Sequence, residues 1–517
     1  MRISRRGFLK LGMMAGAGIV LPVGAMGAAG ARLGAANSVT SPKVQPFVVP
    51  LPVPPVLDPV RTDATTDYYE ITQRSSGQEI LPGLKTEVWG YDGIFPGPTI
   101  ETRTGRKVVI RQWNELSVPV STHLHGGRTP PESDGSPTDL VLPQGYEHGA
   151  SSMHAGHGPT GEHSHMFKDY AYPNEQRGAT LWYHDHRMDF TGPQVYRGLT
   201  GLYVIRDEVE DGLPLPKGEK EVPLVVSDRT FEEDGSFFYP SIDPSLEGEP
   251  GVLVSQHNGV LGDTILVNGA PWPILEVSNT RYRFRVLNAS NARDYELELD
   301  PPPPGIKPFV QVGSDGGLLE APVHHDRIRI SPAERFDVVV DFSRYSVGTR
   351  VTLKNREEEK GPPSEVMRFE VVRREKDEST VPEKLAPKQD FPEPNAAEVT
   401  RRFRFSSSLM GMWSINGKTF DPERMDARPL LGSTEIWEFT SSSSHPVHVH
   451  LVHFRVLSRN DGKPGPYDAG WKDTVYVTSG ETVRVAARFS GYRGRYVFHC
   501  HNLEHEDMMM MANFEVA

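Results

Sequence analysis

Cysteine is the scarcest residue in this chain, with one, Cys500, among 517 residues. A lone thiol excludes any internal disulfide, so nothing covalent staples the fold. Long apolar runs are also missing. Beyond the N-terminal segment nothing approaches the roughly 20 consecutive apolar residues that span a bilayer. Positive charge is in deficit, 55 Lys and Arg against 68 Asp and Glu, and the formal charge of −13 argues against nucleic acid or an anionic membrane as the main partner. Such a surface suits neutral or cationic substrates. Apolar repeats of helical period are scarce too, whereas 49 Gly and 45 Pro are plentiful, which describes a turn-rich, mostly β protein. At 57.5 kDa the chain exceeds what one core supports, so roughly two to four domains are expected.

The first residues stand apart from this pattern. Arg5 and Arg6 lie in SRRGFLK, ahead of a weakly apolar Gly/Ala-rich stretch with small-residue sites near Ala31. Residues 1–31 resemble a twin-arginine signal, which implies the twin-arginine export machinery as a partner and a periplasmic or extracellular destination. So many glycines and alanines make a poor spanning helix, which sets the membrane-anchor reading aside.

After the Pro-rich arm VVPLPVPPVLDPV, expected to be an extended strap, strand patterns repeat at a domain-sized interval. FPGPTIE, ILVNGAPWPILEV and WSINGKTFD read as repeated openings, and SPAERFDVVVDF and VTSGETVRVAARF as repeated late strands. The expected architecture is all-β, three β-sandwich domains over residues 45–210, 218–374 and 398–517. RREKDESTVPEKLAPKQDFPEPN reads as a solvated connection before the third.

Among the H-x-H pairs of this chain of 19 histidines, four stand in strand-like motifs: His123 and His125, His184 and His186, His448 and His450, His499 and His501. Residues i and i+2 of a strand share a face, so each pair offers two imidazoles to one point in space. One such pair is commonly a solvated strand face; four of them, two in the first unit and two in the last, are a metal-ligand pattern. The middle unit has none, since its adjacent His324 and His325 face opposite ways. By the same alternation Cys500 faces away from His499 and His501, so its thiol belongs to a different site. A thiolate, two imidazoles and a weak thioether are the ligand set of a blue-copper centre. His445, His505 and Met510 are available to complete it. His445, three residues before His448, points away from the His448 and His450 pair.

HLHG, WYHDH, HPVHVH and HCHNLEHEDMMMM, in that order, resemble the multicopper oxidase family over nearly the whole mature chain. Within it, HLHGGRTPPESDG, PNEQRGATLWYHDH and HCHNLEHED are similar to the group of spore-coat laccases, bilirubin oxidases and phenoxazinone synthases. The resemblance implies three cupredoxin-like Greek-key domains and four copper ions. His445, Cys500, His505 and Met510 would hold the type 1 ion, and His123 and His448 the type 2 ion. His125, His184, His186, His450, His499 and His501 would hold the type 3 pair. It also implies one-electron oxidation of phenols, aromatic amines or bilirubin-like pigments, coupled to four-electron reduction of dioxygen to water. Asp134 in ESDG and Glu506 in LEHED match acidic positions that help deliver protons; by themselves they read as a turn carboxylate and a solvated or supporting carboxylate.

Between the first two pairs, YEHGASSMHAGHGPTGEHSHMF carries His148, His154, His157, His163, His165, Met153 and Met166. It is either a Gly-rich surface insertion or a loop that recruits cuprous ion, and the second reading motivates an alternative function, oxidation of cuprous or other metal ions in detoxification. A copper-free or copper-storing structural protein is the third possibility, and the complete ligand set argues against it.

Overall fold

The computed structural model describes residues 39–146, 161–358, 361–388, 399–407 and 412–517. The expected signal at 1–31, the loop residues His148, Met153, His154 and His157, and part of the expected connection, 389–398, lie outside the described residues.

The protein is all-β, three cupredoxin-like sandwiches each built from a pair of sheets. The same frame recurs in each. In one sheet an early strand runs parallel to a later one: Thr66–Gln78 with Lys107–Asn114, Glu221–Phe231 with Arg281–Asn288, and Thr400–Ser407 with Thr434–Ser441. In the other a second parallel pair closes the Greek key: Gly97–Arg103 with Thr200–Arg206, Ile274–Ser278 with Glu365–Arg373, and Met425–Ala427 with Met511–Val516. The repeated openings and late strands fall on equivalent elements, Arg335–Asp341 and Thr482–Arg488 among the latter.

Alternation makes these strands. Lys107–Asn114 (KVVIRQWN) buries every second residue, and Tyr295–Asp300 (YELELD) does the same, each with one face in its sandwich core. Arg281–Asn288 (RYRFRVLN) alternates equally well yet is buried on both faces. Its Arg283 and Arg285 do not meet water; they close on Glu210 and Glu221, at the end of the first sandwich and the start of the second, so a face that reads as solvated is an interface between sandwiches. The Pro-rich arm is a strap. Leu51 N donates to Ile274 O (2.7 Å), Leu57 N donates to Thr99 O (2.8 Å), and the arm thereby edges the second sandwich and then the first.

The connection before the third sandwich departs from the solvated linker expected of its charges. Leu385 and Ala386 are buried with Leu215, Leu318 and Leu319, and Leu385 N donates to Glu320 O (2.9 Å). Polar contacts help to dock it, Arg281 meeting Asp377 and Thr380 N donating to Pro214 O (2.7 Å).

Candidate metal centre

The third sandwich places His445 and Cys500 on adjacent antiparallel strands, His445–Val449 and Gly494–Cys500, in the register Val447↔Cys500 and His448↔His499. A short helix, Leu503–Asp507, follows, capped by the Asn502 side chain, which accepts from His505 N, and it swings His505 back over the strand. His445 Nδ1 lies 3.3 Å and His505 Nδ1 3.6 Å from Cys500 Sγ, and the two ring nitrogens are 3.1 Å apart. Met510 is buried and its backbone joins the group: Cys500 N donates to Met510 O (3.1 Å) and Met510 N to His505 O (2.9 Å). The indole of Trp413 covers His505, ring centroids 3.8 Å apart. Burial pushes the Cys500 thiol well above its ordinary range and the His445 imidazole down to about 4. A buried thiol between two neutral imidazoles ionises readily only beside a cation, and a soft metal is the cation this donor set fits.

The opposite face of the same strands carries His448 and His499, with His450 and His501 at the strand ends, and these meet four imidazoles of the first sandwich, all eight buried. Thr122–His125 pairs with Ala179–Asp185 so that His123 sits opposite His184, while His448 sits opposite His499. His186, His450 and His501 follow directly from the strand ends. The imidazoles form three groups, His123 with His448 and His450, His125 with His184 and His501, and His186 with His450 and His499, the offered atoms of each group within 4.8 Å of one another.

The hydrogen bonds fix which nitrogens are offered. His123, His184 and His448 each donate Nδ1–H to a main-chain carbonyl, of Asp134 (2.6 Å), Asp185 (2.7 Å) and Asp473 (2.9 Å), which leaves Nε2 as a buried lone pair without a partner. His125 is turned round: its Nε2 meets Asp473 Oδ1 (3.0 Å) and Thr474 Oγ1 (3.1 Å), and Nδ1 is bare. His499 Nε2 lies 3.2 Å from Nε2 of both His186 and His450, while Nδ1 of His450 and His499 is already engaged by Asp134 and by Cys500 O. His450 and His499, their Nδ1 atoms engaged, thus aim Nε2 lone pairs at one another across 3.2 Å, which repel unless a cation sits between them, so the residues fit a metal cluster. Burial also lowers two of the imidazoles, pushing His501 to about 3 and His186 to about 4.

Both predicted carboxylates touch this cluster. Asp134 ends the turn Pro131–Ser133 with Oδ2 2.8 Å from His450 Nδ1, and burial pushes it up to about 8 against the hydrogen bond from Thr129. Gly135 (φ +74°) makes that turn possible, since a Cβ there would lie 2.0 Å from Thr122 O. Glu506 lies 3.0 Å from His499 Nδ1 and 3.5 Å from His186 Nδ1; burial raises it, but the imidazoles of His499 and His186 outweigh burial and hold it at about 2. Among the described residues His163 and His165 join none of the groups; they lie on a short strand paired with Leu140–Leu142.

Sequence reasoning missed Asp473. It is buried, its carboxylate meets His125, its carbonyl holds His448, and Arg335 from the middle sandwich closes on both its carboxylate oxygens. Gly126 ends HLHG because a Cβ there (φ +85°) would lie 2.7 Å from Arg335 Nη2 and 2.8 Å from Asp473 Oδ2. Lys472 and Asp315, 3.1 Å apart, and Glu334, 3.0 Å from Lys472, extend the network. The run Trp471-Lys472-Asp473-Thr474 marks a charged pair before a strand, and nothing in it says which imidazoles it meets.

Multicopper oxidase family models match residues 74–147 with 159–210 and residues 389–517, the stretches that carry every clustered imidazole. The laccase of Bacillus subtilis is 38% identical over 87% of this chain and 94% of its own length. The bilirubin oxidase of Albifimbria verrucaria is 36% identical over 86% and 76%. The crystal structure of a laccase from Pediococcus acidilactici superposes with a TM-score of 0.79 at 31% identity, over 92% of this chain and 95% of that one. With this fold, these donor groups and these relatives, the chain belongs to the multicopper oxidase family, copper oxidoreductases that use dioxygen as their acceptor.

Proposed function

We propose that this laccase-like oxidase takes electrons from small electron-rich aromatics, among them phenols, aromatic amines and bilirubin-like pigments, and reduces dioxygen to water with four copper ions. His445, Cys500, His505 and Met510 would hold one ion, His123 and His448 a second, and the six remaining imidazoles a pair. Bound there, copper supplies one-electron chemistry on the reductant side and four electrons to dioxygen on the other. The observation that carries the reading is the tripeptide His499-Cys500-His501, whose thiol stands beside His445 and His505 while its imidazoles enter two different imidazole groups. One strand thus links both donor sets through adjacent peptide bonds.

The protein's own groups prepare the cluster. Carbonyls of Asp134, Asp185 and Asp473 hold three rings with Nε2 inward. Asp134, up at about 8, keeps a proton beside His450, while Glu506, down at about 2, stays ionised and orients His499 and His186, so two carboxylates in one site are pushed in opposite directions. Water formation consumes protons, and this pair stands where they are needed.

The domain limits 45–210, 218–374 and 398–517, twin-arginine export of residues 1–31 to a periplasmic or extracellular location, and cuprous-ion capture by the loop at 145–166 belong to the same proposal. Relatives named laccase and bilirubin oxidase favour organic reductants over metal ions. Oxygen uptake by the copper-loaded protein tests this: phenol oxidation should consume one dioxygen per four one-electron oxidations without releasing peroxide. Turnover of cuprous ion with none of any phenol or aromatic amine would transfer the function to metal-ion oxidation.

A further inference from the structure

A cleft of about 210 Å³, lined by none of the clustered imidazoles, draws its walls from all three sandwiches. Arg177 comes from the first, Leu319, Glu320 and Val323 from the middle, and Arg455 and Trp471 from the third. The buried arginines Arg283, Arg285, Arg293 and Arg335 each close on a carboxylate. Arg177 and Arg455 form no ion pair among the described residues: Arg177 Nη2 donates to the carbonyl of Leu318 (2.5 Å), and the Arg455 guanidinium stands 5.9 Å from the Trp471 ring centroid. Burial also pushes Arg177 below its ordinary range, with Asp207 and Glu320 offsetting it only in part. Glu320 cancels one of the two positive charges, which leaves the cleft cationic in a protein of formal charge −13.

Two guanidinium forks, an indole and aliphatic side chains in one lining suit a planar apolar body that carries one carboxylate. We propose that this cleft is a binding site for an aromatic carboxylate, with the carboxylate between Arg177 and Arg455 and the ring against Trp471 and Leu319. The site is separate from both donor sets, so it neither requires nor extends the copper assignment above.

Titration calorimetry of the full-length, copper-loaded protein with benzoate, an aryl carboxylate too electron-poor to serve as the reductant, tests the assignment. The expected result is saturable binding of one benzoate per chain, weakened at least tenfold in Arg455→Gln and in Arg177→Gln, with sulfate and acetate each binding at least tenfold more weakly than benzoate. Arg455→Gln should keep its copper content and its phenol turnover, which shows that the fold is intact; Trp471→Leu, which removes the aromatic wall and no charge, should weaken benzoate and leave sulfate unchanged. Absence of saturable binding, equal binding by Arg455→Gln, or sulfate binding as tightly as benzoate would each overturn the proposal.

Discussion

His445, Cys500 and His505 lie within one sandwich, on two neighbouring strands and the helix that follows them, whereas the eight other imidazoles come in equal shares from the first and third sandwiches and are braced by a residue of the second. The first group takes all its donors from one domain, although the helix that carries His505 is also tied to the others, Asp507 accepting from Thr191 N and Leu503 N donating to Asn291 O. The second exists only once all three are docked, and its bracing residue, Arg335, belongs to the sandwich that contributes no imidazole to it. A site whose donors come from one domain and a site whose donors meet across an interface should therefore fail differently.

The largest expected effect falls on the contained site. Cys500→Ser should abolish phenol turnover and the intense blue absorption, because a hydroxyl is a poor substitute for thiolate, while copper in the imidazole groups is retained. Loss of all copper from this variant would mean that the two sites are not separable. Optical spectra with copper counting read both outcomes.

Arg335→Met should damage the interface site alone. It leaves Asp473 buried without its fork, which is expected to cost about 3–5 kcal/mol of stability and to weaken copper retention in the cluster roughly 10–100-fold while the blue absorption persists. Arg335→Lys, which restores the charge without the paired hydrogen bonds, should fall between. Thermal unfolding and electron paramagnetic resonance of copper-loaded samples measure the two parts; an unchanged cluster would show that the middle sandwich is only a spacer.

Smallest is the effect of Met510→Leu. The buried side chain keeps its volume and its backbone bonds to Cys500 and His505, so copper should stay, and the potential of the blue site should rise as the thioether donor is lost. A redox titration with an unchanged or lower potential would direct attention to Met509 or Met511.

The contrast also explains what the sequence could disclose. Strand alternation is local, so the residue spacing alone assigns His448 and His450 to one face and His445 and Cys500 to the other, and the repeated strand patterns announce three sandwiches. Contacts between sandwiches leave no such trace. Arg335 and Asp473 are 138 residues apart, and neither has a neighbour that hints at the other. Arg283 and Arg285 keep a perfect alternating pattern whose meaning is reversed by the carboxylates they meet, and Leu385 and Ala386 dock a segment whose charges suggest solvent. Burial of charge against a distant partner is decided by docking, which composition and periodicity do not encode.

The central claim, that one strand pair serves two separate sites from its two faces, is tested most directly by electron paramagnetic resonance with copper counting on His445→Ala and His448→Ala. His445→Ala should lose the blue signal and keep cluster copper, whereas His448→Ala should lose type 2 copper and dioxygen reduction yet keep a blue site that a reducing substrate still bleaches. If His448→Ala lost the blue signal and His445→Ala kept it, both the face assignment and the ligand sets built on it would be contradicted.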